Sequence, residues 1–462
     1  MSVVIIGNGI MGLTTAYRLT KKDPNLKIQI VGPSDHKGCA SLAAAAMFNS
    51  FCEVDPSTLT NKFERIKFDF NRSANPLWPQ LLEQLHSESG LELFHNFGTY
   101  LINNHATDDL EDKNFDAILA ALKEFSEPHE VVKPSEIDFF KPSARTRASR
   151  AVLIPREGYV NPRHLFQCLF QILRSSSRVS FVDNSCVSLN FSSQKIVEAK
   201  LENNKLVSGD CFVLAPGAVF SKIVQDSHLP IMTPKIFYGI GVSVLLKTSE
   251  NTIRSCIRTP NRGLACGIYS APHDETHTLV GASNFIAPFP EDFGRLTSVY
   301  GLLGSAMEQI NSDFYRSQLE KVNVGWRPTS EDTLPLIGRS ETFQNLLIAT
   351  GTKRDGLHCS PVISDVISDL VLGRTPKFDI SHFNPERKPI RVYSRSDAIE
   401  TSVKHTVNAA YQHGFVPSKN RIVEDLESHY RREFEELHDK VGALDWGIPP
   451  EMINMYKYGH VR

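Results

Sequence analysis

Apolar residues in this chain follow two different periods. Val3 to Ile6 form an unbroken apolar run that ends at Gly7-Asn8-Gly9, and LTTAYRLTKK follows with helical spacing. LKIQIVG (26–32) then alternates as a second strand, so the opening predicts a parallel βαβ unit. Helical patterns cover roughly 57–90 and 107–126, with the strand signal FGTYLIN (97–103) between them. Asn161 before Pro162 marks the cap and first position of an amphipathic helix reaching about 173. VSFVDNSCVSLNF and two more strands lead to CFVLAPGA (211–218). From about 231 to 290 the period falls to two, in KIFYGIGVSVLL, GLACGIYSA and HTLVGASNF, which predicts a separate sheet. A helix around 292–311 interrupts that block. NLLIATG (345–351) and a helix at 361–372 then return to the first pattern, so the opening unit is expected to be discontinuous.

The segment VVIIGNGIMG carries the first candidate chemistry. An apolar strand that passes through Gly7, Gly9 and Gly12 into a helix offers unpaired backbone N–H groups to a pyrophosphate, which predicts a dinucleotide site. Gly7 suits the tight turn, Gly9 the close approach of phosphate, and Gly12 the packing of helix on strand. The acid that usually meets the ribose is missing, because the second strand ends at Gly32. Ser34, Asp35 or the backbone alone must then serve that sugar. GCASLAAAAM (38–47) reads either as a helix start capped by Ser41 or as backbone that lies close to a flat cofactor.

The composition narrows the function class. The chain has 462 residues, 41% hydrophobic and 22% charged, with a net charge of −2, as in ordinary globular proteins. That balance argues against nucleic acid or an anionic membrane as partner, and no apolar run reaches bilayer length. The first strand starts at residue 3 and leaves no room for an export leader, so a cytoplasmic protein is expected. The eight cysteines (39, 52, 168, 186, 211, 256, 266 and 359) form no CxxC and are read as reduced, with no metal site.

Six segments together, VVIIGNGIMG, GCAS (38–41), EGYVNP (157–162), FVLAPGA (212–218), GWRPTSEDTLPLIGR (325–339) and LLIATGTKRDG (346–356), resemble the D-amino-acid oxidase/glycine oxidase family of FAD-dependent amine oxidases in order and separation. The resemblance covers about residues 1–390. It implies noncovalent FAD and an α/β fold: a Rossmann-like FAD-binding domain (1–90, 150–230, 325–392) and a mixed-sheet roof domain for substrate (91–149, 231–324), to which the polar, helically patterned residues 393–462 add a C-terminal extension. It further implies cofactor contacts from Gly7, Gly9, Ile10, Met11, Gly12, Gly32 and Ser34, from Ser41 and Ala43 beside the ring, and from Val187 at the adenine. Ala215 and Gly217 would close on the nucleotide, and Arg354, Asp355, Gly356 and Leu357 would wrap the pyrimidine end of the flavin.

Arg327 in the GWRP block is the implied carboxylate clamp, with Tyr269 and Tyr238 as further substrate contacts. A structural Arg327 paired with Asp332 is the alternative. Arg258 and His358 are weaker candidates. The implied reaction passes hydride from a neutral amine to flavin N5, giving an imine that hydrolyses to keto acid and ammonia, with O2 as an expected electron acceptor. No side chain is needed as a dedicated base. Oxidation of a 2-hydroxy acid or a secondary amine, or a flavoprotein subunit without turnover, are the competing readings. The polar extension is read as a solvated arm or as a contact between copies of the chain.

Overall fold

The structure, a computed structural model, describes all residues except 107, 249–251, 264–266, 413–414, 416 and 462. The centre of GLACGIYSA and Cys266 therefore lie outside the described residues. A six-stranded sheet runs in the order Leu336–Arg339, Leu346–Thr350, Cys211–Leu214, Ser2–Ile6, Lys27–Val31, Val179–Val182. All neighbours are parallel except the first two, which are antiparallel. Helices Ile10–Lys22, Pro162–Arg174 and Ser360–Val371 cover one face. A three-stranded meander and the helix Phe220–Asp226 cover the other. Burial on both faces is why Val3, Val4 and Ile5, all at 0% exposure, read as a continuous apolar run. The Asn161 carboxamide accepts from the backbone N–H of Arg163 and His164 and so starts its helix as the spacing predicts.

The second sheet is built around Ile236–Lys247, which pairs on one edge with Gln318–Ser330 throughout. Its other edge meets Phe285–Ala287 and His277–Gly281, and the sheet continues through Tyr269–Pro272, Cys256–Arg258, His95–Asn104, Ala148–Val160 and Met47–Phe48. Ala148–Val160 lies in a stretch that sequence grouping placed mostly with the nucleotide segments, yet it pairs along His95–Asn104 in this sheet. The reason is alternation: Ala151 and Ile102 face one apolar cluster, Val152 and Leu101 the opposite one. The helix expected at 292–311 is α-helical over Leu296–Ser305 and widens to a π-turn over Ala306–Ile310.

One buried ion pair ties this sheet to the helix Asp109–Glu124. Arg262 grips Glu111 through Nε (2.7 Å) and Nη2 (2.9 Å), while Gln309 and Asn104 accept its remaining N–H groups. With the side chains 0% and 1% exposed, removing one partner strands a charge. Glu111→Ala should cost about 3–5 kcal/mol of stability, measured by chemical denaturation.

The extension differs from its sequence reading. Helices Arg395–Gln412 and Asn420–Val441 pack on each other, and the chain ends in Ile453–Lys457. Ile399, Val403, Phe434, Leu437, Ala443 and Met452 form a buried cluster with Phe237 of the large sheet. The apolar residues are sparse per turn, but the fold gathers them on facing sides, so the segment is docked on the body rather than solvated. No helix among the described residues is long and apolar enough to cross a membrane.

Candidate cofactor and substrate site

A cavity of about 580 Å3 opens beyond the C-terminal ends of the parallel strands, where Gly7, Ala215 and Thr350 line it. Gly7 sits at φ +117°, where a Cβ would stand 2.1 Å from the Ala215 carbonyl oxygen, and a Cβ on Gly12 would stand 1.8 Å from the Gly7 oxygen. Those two glycines let turn, strand and helix close. Gly9 is different: it lines the cavity, and a Cβ there would meet nothing within 4 Å. It is also the N-cap of Ile10–Lys22 and offers no side-chain acceptor, so the first N–H groups of the helix stay available to a ligand.

Gly32 lines the same cavity, and its lack of a side chain has a local cause. A Cβ there would stand 2.3 Å from Asn8 Cγ, and the Asn8 carboxamide is held by donating to the Pro33 carbonyl (2.9 Å). An acid at position 32 has no room. Carboxylates reach the cavity instead from Asp35, Glu202 and Asp226, of which Asp226 is paired with Lys222 at 2.7 Å. Ser34 is not in the lining, because its N–H and hydroxyl both donate to the Asp183 carboxylate (2.7 Å each).

Ile10, Met11, Ser41, Val187, Gly217, Arg354, Gly356 and Leu357 all line this cavity. Ala43 does not; Ala40 and Ala44 line it, and the Ala43 carbonyl accepts from the Ser243 hydroxyl (2.8 Å). Asp355 also turns away, lying 3.9 Å from Lys67 in a neighbouring cavity.

Arg327 stands opposite Gly239 on paired strands and enters the cavity. Its Nη1 donates to the Ser283 carbonyl (2.8 Å) and to Asn284 Oδ1 (3.0 Å). Among the described residues no carboxylate pairs with it. Asp332 is held by Arg387 instead, with Nη2 at 3.0 Å. The guanidinium lies over Gly241, where a Cβ would come within 2.4 Å of Cζ. Gly241 and Trp326, whose indole N–H donates to the Glu291 carbonyl (2.6 Å), are site residues that sequence reasoning missed. The signal for Gly241 was present: a glycine inside an apolar strand marks close approach of another group.

The other substrate candidates lie elsewhere. Tyr238 packs edge-on against Trp326 (5.8 Å between centroids) and Tyr269 sits in an apolar cluster with Tyr159 and Cys256; neither lines a described cavity. His358 is buried with Nε2 against the Asn71 carbonyl (2.9 Å). Arg258 is buried and pairs with Glu53 (2.6 Å). Burial raises the Glu53 pKa, but Arg258 and Arg354 outweigh it and hold the carboxyl at about 2. The depressed value means that Glu53 stabilises the fold above its unfolded pKa of about 4.3, a contribution lost as pH falls toward the folded value.

A doubly wound sheet with a glycine-cornered cavity at its carboxyl edge, roofed by a mixed sheet that inserts an arginine, defines a dinucleotide-dependent enzyme of two-sheet design. Residues 2–370 match the model of the DAO family, FAD dependent oxidoreductase, and the chain belongs to that family. It is thus an FAD-dependent oxidoreductase of the amino acid oxidase family, as the sequence resemblance implied. The chain is 24% identical over 386 residues to glycine oxidase of Pseudomonas aeruginosa, covering 83% of this chain and 98% of that protein. Its fold is similar to that of iminodiacetate oxidase from Chelativorans sp. BNC1 (TM-score 0.70, 18% identity, 84% of this chain and 100% of that one). Glycine oxidase of Geobacillus kaustophilus is similar to the same degree (TM-score 0.70, 19% identity, 84% and 98%).

Proposed function

We propose that the chain oxidises an amino acid or a related amine-bearing carboxylate, with FAD held noncovalently in the cavity. The observation that carries this reading is Arg327: a guanidinium brought into the cofactor cavity with no carboxylate partner among the described residues. Its remaining N–H groups suit a two-pronged grip on a substrate carboxylate. Ser283 and Asn284 fix the plane of the fork, and Gly241 leaves the space it needs. Around the cofactor, Gly9 and the helix start take the pyrophosphate, Asp35 the ribose, Val187 the adenine, and Arg354, Gly356 and Leu357 the flavin. FAD bound there supplies the two-electron acceptor. The chain's share is orientation and charge: the clamp sets the carbon that bears the amine. No base is assigned, because the lone pair of a neutral amine can form the C=N bond as the C–H pair departs as hydride.

The test is an anaerobic screen of amino acids, N-substituted amino acids and 2-hydroxy acids for bleaching of the protein-bound flavin, with ammonia or amine release measured on turnover. Bleaching by 2-hydroxy acids alone would overturn the reading. Acid precipitation should leave the yellow colour in the supernatant. A coloured pellet would mean a covalent link, and Cys39 in the cavity wall would be the residue to examine. Gly241→Ala pushes first on the Arg327 guanidinium and should raise KM about tenfold while leaving FAD content unchanged.

A further inference from the structure

The C-terminal extension reaches the cofactor loop through a buried ion pair. Glu451 Oε1 lies 2.6 Å from Lys353 Nζ, and the two side chains are 13% and 9% exposed. Lys353 lines the cofactor cavity, in the loop that also carries Arg354, Gly356 and Leu357. Glu451 lies beyond the family match at residues 2–370, and the oxidative reading uses neither member of the pair.

Lys353 is where that loop turns. Its φ is +51°, a left-handed corner that a residue with a Cβ adopts only at a cost, so its surroundings must hold it there. On the backbone side its N–H donates to the Pro328 carbonyl (2.8 Å), and Thr352 bridges to Thr329. Pro328 and Thr329 directly follow Arg327. Lys353 thus joins the cofactor loop, the strand that carries the clamp, and the extension.

Glu451 is itself firmly held. It sits in the short helical turn Pro450–Met452 between two buried residues, and Met452, at 0% exposure, belongs to the apolar cluster with Phe237, Ile399 and Val403. Burial raises the Glu451 pKa, but Lys353 and Arg354 outweigh it and keep the carboxyl below its usual range. A second link runs nearby: the Tyr456 hydroxyl donates to Glu331 Oε1 (3.1 Å), one residue past the strand that carries Arg327. Removing the Glu451 charge leaves the Lys353 ammonium beside Lys67 and Arg354, whose charges repel it. The corner would then be driven outward.

We propose that Glu451 is a positioning residue for the cofactor: by holding Lys353 it fixes the corner of the loop, and with it the places of Arg354, Gly356 and Leu357. The extension is then a brace for the cofactor cradle, supplied from outside the family core. This inference rests on the reading that flavin lies against residues 354–357.

Titration of the full-length apoprotein with FAD tests it, with affinity read from flavin fluorescence and the potential of the bound flavin from equilibration with a reference dye. In Glu451→Gln, which keeps the shape and removes the charge, FAD affinity should fall about tenfold. The reduction potential should fall as well, because cations on a displaced loop stabilise the reduced ring less. Lys353→Met should also weaken FAD binding, and adding Glu451→Gln to it should cause no further loss. A folded Glu451→Gln protein with unchanged affinity and potential, whatever its melting temperature, would overturn the proposal, as would full additivity of the two substitutions. Should the glutamine variant not fold, Glu451→Asp keeps the charge but withdraws it by one methylene, and wild-type FAD affinity there would overturn the proposal equally. Arg354→Ala separates the two readings. Unchanged FAD affinity in that variant removes flavin from the loop and the brace with it, whereas a loss there beside normal affinity in Glu451→Gln counts against the brace alone.

Discussion

A Gly9→Val protein is expected to fold and to emerge without flavin. The position has φ −75° and ψ −176°, extended backbone that valine adopts freely, and no protein atom lies within 4 Å of the added Cβ. The new side chain starts from a cavity-lining position, at the helix start where phosphate must approach the backbone. We expect at least a 100-fold loss of FAD affinity, about 2.7 kcal/mol or more. The purified variant should show little absorbance in the flavin band while its unadded-cofactor stability matches that of the apo wild type. Gly7→Ala makes the contrast, because there the Cβ meets the Ala215 carbonyl at 2.1 Å and the backbone is left-handed; that variant should fail to accumulate folded protein. A yellow Gly9→Val protein with normal affinity would remove the pyrophosphate from this turn.

Arg327→Ala should bind FAD normally and lose about 2–5 kcal/mol of transition-state binding for carboxylate substrates, because the partner charge is left without its fork. That corresponds to a fall of roughly 30-fold to several thousand-fold in kcat/KM. Arg327→Lys should recover only part of the loss, since a point charge restores neither the parallel N–H bonds nor the links to Ser283 and Asn284. Steady-state kinetics with whichever substrate bleaches the flavin, and competition by a simple carboxylate, give the measurement. If the alanine variant bound carboxylates as well as the wild type, the clamp would lie elsewhere.

The sequence made the βαβ opening legible because both its periodicity and its glycine spacing obey local rules, and the position of Gly9 at the cavity follows from them. The GWRP block likewise led to an arginine that does reach the cavity. Other features depend on pairings distant in sequence. Asn8 closing off position 32 is a side-chain packing fact that no spacing rule contains. Asp183, about 150 residues on, takes up Ser34. Tyr269 and Tyr238 were placed on the right strands, but the face of a strand depends on register, and register turned both rings into the packing. The extension was misjudged for a related reason: its apolar residues form a core only once two helices and the final turn meet Phe237.

The opening strand Ser2–Ile6 lies in the interior of its sheet, between Lys27–Val31 and Cys211–Leu214. During synthesis it leaves the ribosome long before Cys211–Leu214, so one of its flanks stays bare until the chain has grown past residue 214. The segment that carries the glycine turn must therefore remain unaggregated until Cys211–Leu214 has been made, so the earliest-made strand of this sheet is also the part most in need of chaperone cover.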